Sequence, residues 1–324
     1  MEAASIPAGS LPRTRHLGDR IGDGLLYGLT AAAAILSVLV IAAIIWRVAD
    51  GAWPAIKVYR LAFLWHGEWN AVTSKFGARD FIVGTIVTSF GAMLLAAPIS
   101  IAIGLFLSEL APPAIRVPVG TLIDMLAAAP SVVIGLWGIY VLAPFSAQHL
   151  QPFIRSFLGW IPIFAGGQDK TESTVFTAMI VLTIMAIPIT TSICRELFMG
   201  VPTELEEGSI GLGATRWEMV KTVIVPSVRG GVVAAIILGL GRALGEAIAV
   251  TQVIGNFIPL KTSIFQPGDT IASRVANQYQ GAVSNTQIAA LIYLALILLV
   301  ITFLSNFAAQ RIVKRFEFAR TGGD

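Results

Sequence analysis

Six stretches of this 324-residue chain are apolar enough to cross a bilayer, each near the roughly 20 residues that a hydrocarbon core demands of a helix. Residues 24–46, 81–107, 175–194 and 288–307 carry no charge; residues 117–145 carry only Asp124, and 230–254 only Arg242 and Glu246. Inside lipid every backbone N–H and C=O must be satisfied within the protein, which leaves helices or a closed barrel. Barrel strands read as short alternating segments, so helices are expected. The composition agrees: the chain is 13% charged with a mean hydropathy of +0.79, where soluble domains average about 25% charged. The expected fold is an all-α integral membrane protein of six transmembrane helices. A membrane domain over 24–311 would lie between an N-terminal segment, 1–23, and a tail, 312–324.

The first apolar run starts at Gly24 and exceeds signal-peptide length, so it reads as a retained span. Cys194 is the sole cysteine, and no internal disulfide can form. Six spans put both termini on one side. That side would hold twelve of the 22 lysines and arginines, including Arg13, Arg15, Arg20, Arg311, Lys314, Arg315 and Arg320, against nine opposite, Lys170 among them. Positive residues favour the cytoplasm, so both ends are expected there. The basic balance then reflects orientation, with no case for nucleic-acid binding. The outward loops, 49–79, 146–173 and 256–286, are long enough to receive an outside partner. Trp53, Trp65 and Trp69 in the first suit the headgroup level.

The most structured inward loop reads VPTELEEGSIGLGATRWEMVKTVIVPSVRGG, residues 201 to 231. Thr203 with Glu206, and Thr215 with Glu218, have capping-box spacing. Gly213 stands where a first helix would end left-handed, and Pro226 would close the second. Leu205, Gly208, Ser209 and Leu212 share one side of the first helix; Trp217, Val220 and Ile224 form an apolar stripe on the second. The pattern alone serves equally an interfacial hairpin or a protein-docking surface.

Glu207-Gly208-Ser209, three residues, Gly213, nine residues and Val223-Ile224-Val225-Pro226 resemble the EAA loop of ABC-importer permeases. Glu207, Gly213 and Pro226 match that pattern outright, while Gly208 and Ser209 stand for small alanines. Over residues 80 to 311, FIVGTIVTSFGAMLLAAPISIAIGLFLSELAP, LAAAPSVVIGLWGIYV and GLGRALGEAIAV are similar to the phosphate-specific permeases, most closely the PstC type rather than its PstA partner. The resemblance implies a type I ABC importer permease bundle with a cytoplasmic coupling-helix loop, 201–226. It implies that Glu207, Gly208, Ser209, Gly213 and Ala214 contact a separate ATPase. The chain has no Gly-x4-Gly-Lys-Ser/Thr phosphate loop, so ATP and Mg would sit on that partner, and this chain would bind no cofactor or metal. The implied assembly adds a second, PstA-like permease, two PstB-like ATPase subunits and an extracytoplasmic, PstS-like phosphate-binding protein.

Arg242 and Glu246 are the costly residues. An arginine at mid-bilayer costs about 2.5–3.5 kcal/mol on insertion scales and marks a functional site by default. In a continuous helix over 230–254 Glu246 lies one turn from Arg242, close enough to pair. A packing salt bridge is the alternative, and Gly239, Gly241 and Gly245 would favour close helix contact. Yet apolar residues would avoid the desolvation cost. The functional reading is a transient anion site: Arg242 grips phosphate oxygens and Glu246 competes for the arginine. Asp124 reads as an acid snorkelling at a helix end, while Pro98, Pro130 and Pro188 should bend their spans.

The leading function is a transport subunit forming half of an ATP-driven phosphate path by alternating access. An ion-gradient-driven secondary anion transporter is the alternative, and it would have no use for the 201–226 loop. An intramembrane enzyme finds little support, since His16, His66 and His149 are placed outside the spans.

Overall fold

The computed structural model describes residues 17–166 and 172–321, with side chains over 22–166 and 172–311. Arg13, Arg15, Arg20, Lys170, Lys314, Arg315 and Arg320 lie outside the described side chains, as do His16 and most of segments 1–23 and 312–324. Two compact units divide the chain, Met1–Asp50 and Gly51–Asp324.

Helix α1 (Leu17–Tyr59) is followed by a two-stranded hairpin, β1 (Trp69–Asn70) antiparallel to β2 (Lys75–Phe76), with Trp69 opposite Phe76. Then come α2 (Arg79–Leu105), α3 (Pro113–Ala127), α4 (Ser131–Leu158, a composite with π turns), α5 (Val175–Met199) and α6 (Thr203–Gly211). The chain ends with α7 (Arg216–Gly245), α8 (Ile248–Val253), α9 (Ile271–Gln278) and α10 (Asn285–Thr321). Among the described residues six helices are long and apolar enough to cross a membrane. In the first unit Leu25, Leu36, Ile41 and Trp46 are all exposed, as lipid-facing side chains should be.

The second unit is organised around α2 and α5. Gly84, Thr88, Ala92, Ala96, Ser100 and Gly104 recur every four residues along α2, and all are buried. Such a ridge of small residues lets helix backbones approach, the main source of packing energy where lipid offers no hydrophobic drive. Along its length Thr183 Oγ1 donates to Ala92 O at 3.2 Å and Ser100 Oγ to Ile187 O at 3.3 Å. At its far end a Cβ on Gly104 would sit 3.1 Å from Cys194 Cβ. Pro98 and Pro188 lie inside α2 and α5, which continue past them.

Several expectations need correction. The third span is not 117–145. Helix α3 ends at Ala127 and Pro130 is the N-cap of α4, because proline disfavours helix in the residue before it and lacks the N–H to continue one. Asp124 therefore sits on a separate helix, where it accepts from Ser192 Oγ at 2.7 Å and lies 3.6 Å from Arg195, pinning α3 to α5. Helix α4 extends to Leu158 and so contains His149, stacked on Phe145 at 5.0 Å. The first span also runs on, through Leu64, so much of loop 49–79 is helix. Trp53 and Trp65 are exposed, but Trp69 is half-buried, its Nε1–H donating to Gln278 Oε1 at 2.8 Å.

Loop 254–270 closes over the N-terminal ends of α2 and α5. Phe176 N–H donates to Ile264 O at 2.8 Å, and Ile271 N–H to Thr85 Oγ1 at 3.0 Å. Since α5 leaves its other end directly into α6, this loop and the 201–215 turn occupy opposite ends of the bundle.

Candidate functional site

The 201–226 region is built from local rules. Helix α6 carries Glu204 and Glu206 in its first turn, where acids complement the helix dipole. Its N-cap is Pro202 with no side-chain cap, so the Thr203–Glu206 box does not form: Thr203 is already inside the helix. At the other end Gly213 adopts φ +91°. Gly213 N–H donates to Ile210 O at 2.9 Å and Ala214 N–H to Ser209 O at 3.2 Å, the paired closure of a glycine-terminated helix. The second box does form. Thr215 N–H donates to Glu218 Oε2 at 2.8 Å, and Glu218 N–H to Thr215 Oγ1 at 3.3 Å.

Pro226 does not close the helix that follows. Arg216–Gly245 is one continuous element, with a π turn at Val220–Ile224 immediately before the proline, the local adjustment that accommodates a missing N–H. The expected stripe also divides. Ile224 is fully buried with Cys194, Phe198 and Met219, while Trp217 is 71% exposed.

The outer side of this turn is bare. Leu205, Glu207, Gly208 and Gly213 are exposed, Ser209 and Ala214 half-exposed, and Leu212 is 92% exposed. A Cβ built on Gly208 or Gly213 would meet nothing within 4 Å. Space among the described residues therefore does not demand a small residue at Gly208, whereas Gly213 is required by its positive φ. Beside it Glu109, Leu110, Glu206, Ile210, Arg216 and Trp217 line a cleft of about 430 Å³. Desolvation raises the Glu206 carboxyl above its ordinary range, with Glu109 and Glu207 adding repulsion.

The second candidate region breaks where continuity was expected. Helix α7 stops at Gly245, and Glu246 takes an extended conformation (φ −71°, ψ 117°) before α8 begins at Ile248. This turns the Glu246 carboxylate forward, where its Oε1 accepts from Ala249 N–H at 3.3 Å. Among the described residues no ion pair joins it to Arg242. The pairing required a helix through residue 246, and the helix ends one residue short. Arg242 is left exposed in the last turn of α7, where the negative end of the helix dipole favours a cation.

The glycines divide similarly. Gly239 is a close approach, since a Cβ there would lie 2.7 Å from Thr190 Oγ1. Gly245 would meet nothing within 4 Å, and Gly241 only Asn306 Oδ1 at 3.8 Å. Leu238, Arg242 and Gly245, spaced by four and three residues on α7, are exposed, and so is Ile248 at the start of α8. Broken helices at membrane depth are tolerated only where protein or a water-filled cavity receives the freed polar groups. The helices that follow the breaks at Glu246 and Pro130 pack against each other: a Cβ on Gly135 of α4 would lie 2.9 Å from Ala249 Cα of α8.

Residues 100–318 match the family described as the inner membrane component of binding-protein-dependent transport systems. The chain belongs to this family. Its similarity to curated members spans nearly the whole sequence. The phosphate transport system permease protein PstC of Pasteurella multocida is 42% identical, covering 94% of this chain and 95% of that one. The PstC of Mesorhizobium japonicum is 40% identical over 97% and 98%. Within the family the chain is of the PstC type. Among solved permeases, a chain of a bacterial alginate ABC transporter shares the fold at TM-score 0.59 and 19% identity, covering 92% of this chain and 98% of that one. A chain of the MetNI methionine ABC transporter does so at 0.54 and 18%, covering 73% and 94%. The fold is that of a type I ABC importer permease, a multi-pass inner-membrane protein. As such a permease it is a transport subunit rather than an enzyme, working with a separate ATPase and a substrate-binding protein.

Proposed function

We propose that this chain carries inorganic phosphate, forming half of the path of an ATP-driven importer by alternating access. Support comes from the PstC permeases that it resembles along its length, and from chemistry at the break in its fifth span. The observation that carries the reading is Arg242, an exposed guanidinium without an ion-pair partner among the described residues, at the end of a broken membrane helix. A guanidinium presents a planar fork of donors that fits phosphate oxygens and stays charged at any working pH. Glu246, bonded here to Ala249 N–H, comes to the four-residue spacing that pairs it with Arg242 when helix α7 extends by one residue through position 246. Exchange between the two arrangements frees the arginine for the anion in one and occupies it with carboxylate in the other.

The second half of the path comes from a PstA-like permease. Two PstB-like ATPase subunits, which hold the ATP and Mg, dock on the 201–215 turn through Glu207, Gly208, Ser209, Gly213 and Ala214. A PstS-like phosphate-binding protein docks at the opposite end. Both termini are cytoplasmic, and segments 1–23 and 312–324 flank the membrane domain.

Uptake of labelled phosphate by the whole transporter, with Arg242→Lys and Arg242→Ala compared, tests this reading. Lysine keeps the charge and loses the fork, so it should retain a fraction of uptake, and alanine should abolish it at normal membrane level and ATPase association. Full uptake by Arg242→Ala would return the arginine to a packing role.

A further inference from the structure

A second pair of charges lies buried outside the region just described. Asp269 and Arg274 are 1% and 5% exposed, and Arg274 Nη2 is 2.6 Å from Asp269 Oδ2. Thr270 N–H donates to Asp269 Oδ1 at 2.8 Å. The guanidinium lies 4.9 Å from the centre of the Phe81 ring and 6.0 Å from that of Trp69, so α2 and β1 enclose it. An apolar pair of similar volume would avoid the desolvation of both charges and hold a fold at least as well. Burial in fact pushes the Asp269 carboxyl up to about 6, more than Arg274 pulls it down. Stability alone does not account for the pair.

Its connections point elsewhere. Arg274 is on α9, one residue after Ser273, whose Oγ donates to Asn256 Oδ1 at 2.8 Å. Asn256, held at φ +52°, donates from Nδ2 to Thr251 O at 2.7 Å. Thr251 belongs to α8, the short helix that Glu246 caps. The same block is fixed to α2 on its other side: Ile271 N–H donates to Thr85 Oγ1, and Gly84 packs so closely on Asp269 O that a Cβ there would clash with it. Through the peptide link between Arg274 and Ser273 and the two hydrogen bonds that follow, the buried pair is connected to the half-helix beyond the break.

We propose that Asp269 and Arg274 are positioning residues for anion passage, setting through Ser273 and Asn256 where α8, and with it Glu246, stands relative to Arg242. This rests on Arg242 and Glu246 lining the path. The pair fixes the direction in which α9 presents Ser273, a constraint that apolar side chains, free to shift and repack, do not impose.

The test uses the whole transporter in membranes, with Arg274→Lys, Arg274→Met and the double variant Asp269→Leu/Arg274→Met, which leaves no charge unpaired and guards against simple misfolding. Two readouts are taken: phosphate uptake, and the thiol-labelling rate of Ile248→Cys in a Cys194→Ala background. Ile248, the first residue of α8, is 48% exposed, and Cys194 is the only native cysteine. The double variant should reach the membrane with its ATPase and lose maximal uptake by about 10- to 100-fold, the scale of an ångström-level misplacement. Its labelling rate at position 248 should change severalfold, with Arg274→Lys in between. Wild-type labelling in the double variant overturns the proposal, whatever uptake does. Labelling is independent of which anion is carried, so failure of the phosphate reading, seen as no uptake even by wild type, leaves this comparison intact.

Discussion

Replacing Gly208 by leucine separates what the fold needs from what a partner needs. Gly208 lies within α6, and a Cβ there meets no atom of the chain within 4 Å. Glycine is about 0.8–1 kcal/mol worse than alanine inside a helix and leucine is nearly as good as alanine, so the isolated chain should gain most of that amount. On a surface packed against the ATPase the added side chain has nowhere to go. Overpacking costs about 1–3 kcal/mol, which at 1.4 kcal/mol per tenfold weakens docking by about 5- to 150-fold. The assay is paired: thermal unfolding of the purified chain in detergent, and the ATPase retained when the tagged chain is pulled from co-expressing membranes. Opposite signs are expected, with the chain as stable or more so and the ATPase lost. A Gly208→Leu chain that keeps its full ATPase complement would refute the assignment of this face to docking. One that unfolds more easily would refute the steric reasoning.

Two further outcomes follow from the opposite end of the bundle. Gly84→Ala places a Cβ against the Asp269 carbonyl oxygen, and should lower stability by about 1–3 kcal/mol, read as an earlier melting midpoint; an unchanged midpoint would mean that loop 254–270 does not hold tightly to α2. Asp269 should also give stability a pH slope. Burial raises its carboxyl from 3.8 to about 6, so between those values the folded protein binds more protons than the unfolded one, and stability falls as pH rises. At 1.36 kcal/mol per unit this amounts to about 3 kcal/mol. Melting curves of wild type and Asp269→Asn over that window should differ by this slope, and a wild-type slope of the opposite sign contradicts the burial argument.

Much of this was legible in the sequence. The six spans follow from apolar length, because lipid imposes one solution on any such segment. Gly213 and the Thr215–Glu218 box were equally readable, as each depends on groups within a few residues of one another. The four-residue recurrence of small side chains from Gly84 to Gly104 was also present in the letters, though which helix it would meet was not.

The breaks had a different origin. Residues 230–254 read as one helix because hydropathy reports membrane depth and not backbone continuity, and that error created the expected Arg242–Glu246 pair. At Pro130 the letters signal a bend, and the structure makes it a full break. Asp269 and Arg274 gave no warning at all, since residues 256–286 read as an outward loop and the helix that carries Arg274 was not visible in them. The sequence by itself determined that this chain would lie in a membrane, that six of its segments would be apolar enough to cross, and that the inward loop would turn at Gly213, since those outcomes depend on solvent and near neighbours. Only the tertiary structure decided where a span is interrupted and which charges are buried together, since both depend on atoms brought from distant parts of the chain to offset the cost of an open backbone or a desolvated ion.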